Sequence, residues 1–153
     1  MKNSIIIITL LFGLLKMQSN WPGTGNKIDP RFTEAKRMEL FGNINEAKKL
    51  YIELINEHPN NYQYYKSLKK LLKNSNSLNE LERTTVDLVN KNPLNSMYEL
   101  DLLEIYLWSN DSRAIVLKNK LFKQFMSNES LLKKLIFIYI TNDLDKEAQD
   151  MID

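Results

Sequence analysis

The sequence predicts an all-α fold made of short helices that pack as antiparallel hairpins. Apolar residues recur at intervals of three and four across 68–72 and 78–89, which is the period of a helix with one buried face. The segments between the predicted helices are short and polar, and short connections make neighbouring helices pack antiparallel. The 153 residues correspond to about one domain, and 43% of them are hydrophobic, which excludes a wholly disordered or collagen-like chain.

Several helix ends are marked by residues that satisfy free backbone groups. Asp29 before Pro30 predicts a helix start, because the Asp side chain accepts from early N–H groups and Pro has no N–H to leave unpaired. Two residue pairs predict capping boxes: Ser77 with Glu80, and Ser96 with Glu99. The amphipathic segments 47–57 and 78–91 are predicted as helices.

A period of about 34 residues runs through the helical part of the chain. Pro59 and Pro93 stand one such period apart, and each follows an amphipathic segment and precedes Asn residues that can cap the next helix. Ala47, Tyr51 and Pro59 have the spacing A-x3-aromatic-x7-P. The equivalents of Ala47 in the later units are Leu81, then Ile115 with Ala114 as the alternative, then Ala148. This self-similarity predicts a repeat protein, with an ordinary helical bundle as the alternative.

The pattern resembles the tetratricopeptide repeat (TPR), whose second helix carries a small residue, an aromatic residue and a terminal proline. Apolar residues in the first helices also have the spacing of that family: Tyr65, Leu68 and Leu72; Leu102 and Tyr106; Leu132, Leu135 and Tyr139. The resemblance implies the units 28–61, 62–95, 96–128 and a truncated 129–153. Helix hairpins of this kind stack as a right-handed superhelix, an α-solenoid, with an extended curved surface.

The N-terminal segment has the pattern of a secretory signal. Lys2 supplies a positive charge, Ile5–Leu15 is an apolar run and Lys16 ends it. The run is too short to cross a bilayer, which needs about 20 apolar residues. The predicted division is a signal peptide over 1–19, a flexible linker over 20–27 and a repeat domain over 28–153. We expect an exported chain, periplasmic or secreted, with no membrane span after cleavage; an uncleaved N-terminal anchor is the alternative.

Few residues are suited to catalysis or to metal binding. The sequence has no Cys, and its single histidine, His58, precedes Pro59 at a predicted helix end, where an imidazole interacts favourably with the helix dipole. Acidic residues alternate near the C-terminus without the Gly of a calcium loop, so Asp143 is expected to cap a helix. Three tyrosines at helical spacing are assigned to the core: Tyr98, Tyr106 and Tyr139. The sequence therefore predicts no enzyme activity, no cofactor and no metal.

The family resemblance also implies a concave groove lined by the first helix of each unit. The residues that would line it are Phe32, Lys36 and Glu39; Lys66, Lys70 and Lys73; Leu100, Glu104 and Trp108; and Lys133 and Phe137. Spacing of three and four places Lys66, Lys70 and Lys73 in one basic stripe, which suits an acidic peptide; a solvated lysine face is the alternative. The family's carboxylate clamp is not predicted, because Phe32 and Lys36 occupy its first two positions. Trp108 is a candidate hot spot for a partner.

These features favour an exported scaffold that binds a peptide or a partner domain during assembly of an envelope or secretion complex. The formal net charge of +2 falls to zero when Lys2 and Lys16 leave with the signal, so nucleic-acid binding is not expected. The alternative is an N-terminal accessory or oligomerisation module of a longer secreted enzyme or surface protein. It is motivated by a fourth unit that stops without a polar capping helix, and the same end could form a homodimer.

Overall fold

The computed structural model describes residues 28–152. The predicted signal peptide over 1–19 and the predicted linker over 20–27 lie outside these residues. Within 28–152 the chain is helical and contains no strand. No helix in this part of the chain combines the length and apolar character needed to cross a membrane.

Eight consecutive helices make up the described part of the chain. They are α1 Pro30–Leu40, α2 Ile44–Glu57, α3 Tyr62–Asn74, α4 Leu78–Lys91, α5 Ser96–Trp108, α6 Arg113–Phe125, α7 Glu129–Ile140 and α8 Asp145–Gln149. Each helix packs against the next one in the sequence, and α5 also packs against α7. The prediction of an all-α fold with helices packed neighbour to neighbour is confirmed.

The turn inside each hairpin has the same backbone conformation, which recurs at the predicted period. The residues with positive φ are Gly42, Asn76, Asn110 and Asp143, at φ 77°, 56°, 52° and 59°. They follow α1, α3, α5 and α7, and their spacing along the chain is constant to within a single residue. In each turn the next N–H donates to a carbonyl five residues earlier, which closes the preceding helix: Asn43 to Met38, Ser77 to Leu72, Asp111 to Tyr106 and Leu144 to Tyr139. Gly, Asn and Asp are the residues that adopt this left-handed conformation most readily.

The start of each later first helix also repeats. Asn61, Asn95 and Asn128 are the N-caps of α3, α5 and α7, and each side-chain oxygen accepts from a backbone N–H two or three residues later. His58 and Asn92, one period apart, are the C-caps of α2 and α4 with nearly equal dihedral angles. The periodicity read from the sequence is therefore present in the backbone conformation itself.

The Asn caps predicted after Pro59 and Pro93 are confirmed. Of four other predictions about helix ends, one is confirmed and three are wrong. Asp29 caps α1 as predicted, with Pro30 as the first helical residue. Ser96 lies inside α5, whose cap is Asn95, so no capping box forms there. Ser77 is the N-cap of α4 but its side chain makes no capping hydrogen bond. Asp143 does not cap α8, because it occupies the left-handed turn position just before the cap, Leu144.

The core consists of two clusters of buried residues that meet along α5. One buried cluster joins α1–α4 to one side of α5, and a second joins the other side of α5 to α6–α8. The tyrosines predicted for the core are buried: Tyr98, Tyr106 and Tyr139 are 0%, 7% and 4% exposed. The residues equivalent to Ala47 in the later units are also buried. In the third unit this residue is Ala114, because Ile115 is 64% exposed. The alternative register of the third unit is thus the correct one, because the small residue faces the core.

Candidate functional site

The predicted groove residues lie on α1, α3, α5 and α7, and the structure divides them into three groups. The central group joins α3 to α5 and contains most of the charge. It has a buried ion cluster, formed by Lys69, Asp101 and Glu104, and an exposed lysine–tryptophan patch, formed by Lys66, Lys70, Lys73 and Trp108.

The buried ion cluster holds α3 against α5. The Lys69 ammonium donates to carboxylate oxygens of both Asp101 and Glu104. The Tyr62 hydroxyl donates to the other oxygen of Asp101 at 2.7 Å. The side chains of Lys69, Asp101 and Glu104 are only 14%, 7% and 21% exposed, so these bonds form largely out of water. Charged groups in such surroundings are stable only when each is paired.

Burial and the neighbouring charges shift the pKa values of Asp101 and Lys69 in opposite directions. Burial is the largest influence on Asp101 and raises the pKa of its carboxyl above the usual value, although Lys69 favours the ionised form. Burial disfavours the Lys69 ammonium too, but Asp101 and Glu104 outweigh it and raise the pKa of Lys69. Burial and the neighbouring Asp101 raise the pKa of Tyr62 strongly, so its phenol remains a donor. Lys69 therefore stays charged, and its charge is paired with carboxylates inside the fold.

The lysine–tryptophan patch lies beside this cluster. The Lys73 ammonium stands 3.6 Å from the centroid of the Trp108 ring and Lys69 stands 5.3 Å from it, both within cation–π range. Lys66, Lys70 and Lys73 are exposed. None of the three forms an ion pair with a carboxylate among residues 28–152. The patch therefore presents unpaired positive charge next to a partly exposed indole.

The second group, on α1, is a small aromatic cluster. The Phe32 ring lies 5.1 Å from that of Tyr64 and 6.0 Å from that of Tyr51, so Phe32 contributes to the core. The Lys36 ammonium is paired with Glu39 at 3.2 Å and lies over the Tyr51 ring at 5.5 Å. Glu39 also accepts from the Tyr51 hydroxyl at 2.9 Å. Lys36 and Glu39 therefore neutralise each other.

The third group, on α7, is exposed. Phe137 is 63% exposed, and Lys133 forms an ion pair with Glu129 at 2.5 Å. In the described region neither side chain forms an ion pair or a ring contact with the lysine–tryptophan patch. Of the predicted groove residues, the structure thus brings Lys73 and Trp108 into contact, and Glu104 is joined to them through Lys69.

Sequence reasoning misplaced Leu100 and did not find Asp101. Leu100 is 2% exposed and belongs to the core, because α5 is buried on two sides. Asp101 and Glu99 are 5% and 6% exposed inside an otherwise apolar helix. Glu99 is paired with Lys120 at 2.5 Å. Acidic residues within such an apolar run could have indicated buried ion pairs, since buried charges need partners.

The described residues provide no metal-binding arrangement. No three His, Asp or Glu side chains between residues 28 and 152 are grouped so that they could hold a metal ion. His58 is exposed at the C-terminal end of α2, where its ring lies 6.1 Å from that of Tyr64. What the central group can offer chemically is recognition, through ammonium groups and an aromatic face.

Comparison with protein-family models, with curated protein sequences and with solved structures gives no significant match for this chain. Function is therefore inferred from the repeat architecture and from the surface that it presents.

Proposed function

We propose that the protein is an exported TPR-like scaffold that binds a partner protein through the face formed by the first helices of its hairpins. Assembly of an envelope or secretion complex is the setting that an exported scaffold of this kind fits. The single observation that carries the proposal is the repeat: left-handed turn residues, Asn caps and buried small or apolar positions recur from one hairpin to the next at a nearly constant spacing.

The architecture supports binding rather than catalysis. In a stack of hairpins each unit buries its apolar faces against its neighbours, and the product is an extended surface. A right-handed superhelix is the arrangement we propose for these hairpins. The lysine–tryptophan patch lies on α3 and α5, the first helices of two successive hairpins. A partly exposed Trp is among the side chains that contribute most to binding at protein interfaces.

Export is proposed from the N-terminal pattern of Lys2, the apolar run Ile5–Leu15 and Lys16. Mass spectrometry of the protein recovered from outside the cytoplasmic membrane should show loss of roughly the first 19 residues. Recovery of the exported chain with its N-terminus intact would instead favour an N-terminal anchor.

The binding proposal is tested by affinity capture from envelope extract with the full chain. The bait is compared with a patch variant, in which Lys66, Lys70 and Lys73 are replaced by Gln. A matched control replaces Lys49, Lys118 and Lys123, which lie on α2 and α6, by Gln, with the same change in charge. We expect a defined partner to be captured by the wild type and the control but not by the patch variant. Capture of no specific partner by the wild type would contradict the scaffold proposal.

A second candidate is self-association through the C-terminal end. Phe137 and Ile140 are 63% and 48% exposed and stand three residues apart on α7, so they share a face. Ile152 is 61% exposed nearby in the sequence. Light scattering of the full chain should then show a dimer that Phe137→Glu converts to a monomer. A wild-type monomer at high concentration would refute this second candidate.

A further inference from the structure

The α3 helix carries four lysines, and the structure gives them different roles. Lys69 is buried and its charge is neutralised by Asp101 and Glu104. The other three are exposed and have no carboxylate partner in the described part of the chain. On α3, unpaired positive charge is thus carried by the three exposed lysines, of which Lys73 lies against the Trp108 ring.

This charge is local and does not reflect a basic protein. Acidic and basic side chains are equal in number between residues 28 and 152. The carboxylates of Asp101 and Glu104 pair with Lys69, which lies one helical turn from Lys73 on α3. A polyphosphate backbone carries one charge at every step and would extend beyond the three ammonium groups onto a region without net positive charge, whereas a peptide with a few carboxylates needs only these three groups. An acidic protein segment is therefore the better match for the charge.

The spacing of the lysines sets the shape of the segment. Four residues of helix rise about 6 Å between Lys66 and Lys70. Side chains on one face of an extended peptide are about 6.6 Å apart, because they occur at every second residue. Lys73 lies further along α3 and contacts the Trp108 ring, so an apolar or aromatic side chain at that end would lie against the indole.

We propose that the lysine–tryptophan patch binds an extended acidic segment of the partner, in which two carboxylates at alternate residues face Lys66 and Lys70 and an apolar side chain follows near Trp108. This inference rests on the proposed scaffold function and names the chemistry of its partner.

The first experiment selects ligands without assuming their sequence. The full chain is panned against displayed random peptides of about ten residues, which extend to about 33 Å and so outreach the ~10 Å rise from Lys66 to Lys73. We expect selected peptides to be enriched in Asp and Glu at alternate positions with the wild type and with the Lys49/Lys118/Lys123→Gln control, and not with the patch variant.

The second experiment measures binding of a selected acidic peptide by fluorescence. Trp21→Phe in the full chain leaves Trp108 as the only tryptophan, so a change in emission reports on the patch. We expect the patch variant to bind at least about tenfold more weakly than the control. Affinity should also fall as salt rises from about 50 mM to about 300 mM, because exposed charge pairs are screened.

The outcomes separate this inference from the scaffold proposal. Enrichment of neutral or basic peptides, or equal affinity when each Asp and Glu is replaced by Asn and Gln, would overturn the acidic segment while a protein partner could still be captured. Tighter binding of an oligothymidylate than of the selected peptide, lost in the patch variant, would overturn it in favour of nucleic acid. If no peptide is selected by the wild type, the inference also fails, whereas the scaffold proposal fails only when envelope extract yields no specific partner.

Discussion

Replacing Lys69 by Met tests whether the buried ion cluster holds α3 against α5. Met keeps most of the apolar stem but removes the ammonium, so Asp101 and Glu104 are left without their cation. Removing one partner of a buried pair costs about 3–5 kcal/mol. Because Glu104 keeps 21% of its side-chain surface in solvent, we take the lower end, about 3 kcal/mol.

The assay is thermal and urea unfolding followed by circular dichroism at neutral pH. A loss of about 3 kcal/mol corresponds to a fall in Tm of about 10 °C for a chain of this size. The matched control is Lys91→Met, which breaks a pair with Asp87 in which both side chains are 58% exposed. Its expected cost is below about 0.5 kcal/mol, since exposed pairs contribute little.

Two further measurements identify the cause of the loss. Adding Asp101→Asn to Lys69→Met should restore more than half of the lost stability, because the unpaired buried charge is removed while the acceptor for Tyr62 remains. Burial already raises the pKa of Asp101 in the wild type, so in Lys69→Met the folded state binds a proton more readily than the unfolded chain. The stability gap to the wild type should therefore narrow as the pH falls from 7 towards about 4. A variant as stable as the wild type, or one that Asp101→Asn does not rescue, would refute this reasoning.

Three further predictions follow from the turns and the α1 cap. Gly42→Ala should lower the free energy of unfolding, measured in urea, by about 1 kcal/mol. Because no atom lies within 4 Å of an added Cβ, this loss arises only from the backbone angle φ of 77°. Asn110→Gly should stabilise by about 0.5 kcal/mol in the same assay, because φ 52° suits Gly; a loss of stability would contradict the turn assignment. Arg31 bonds to Asp29 and Glu57 and lowers the pKa of both carboxyls. This stabilisation is present above the ordinary pKa values of the two carboxyls, about 4, and is lost as the pH falls below them. The wild type should therefore have a higher Tm than Arg31→Gln at pH 7, and the two Tm values should become equal near pH 2.

The repeat was predictable because its signals are local. Pro at the end of a second helix, Asn at the next cap and a small or apolar residue facing the core can all be read without knowing the fold. The helix over 78–91 was predicted with the bounds that the structure has. The four turns also carry residues that tolerate positive φ, which is a further periodic feature of the sequence.

The details that were missed depend on tertiary packing. Leu100 was placed in the groove from its position on a first helix, but α5 is buried on two sides and Leu100 lies in the core. The choice between Ala114 and Ile115 likewise depends on how closely α6 approaches its neighbours.

The candidate site shows the same division between local and tertiary information. The stripe of Lys66, Lys70 and Lys73 follows from helical spacing and was predictable. Which of the α3 lysines is paired with carboxylates was not predictable, because Asp101 and Glu104 come from α5, two helices further along the chain. Pairing between distant segments is fixed only once the helices have packed.

The proposed function requires that the first-helix face around α3 and α5 binds a partner protein. Site-specific photocrosslinking in the source cells tests it most directly, with a photoreactive side chain in place of Lys70 and, as the control, in place of the exposed Lys49 on α2. We predict one discrete crosslinked protein from position 70 and none from position 49, with an acidic segment at the site of attachment. Absence of a crosslink at position 70, or the same products from both positions, would contradict this claim.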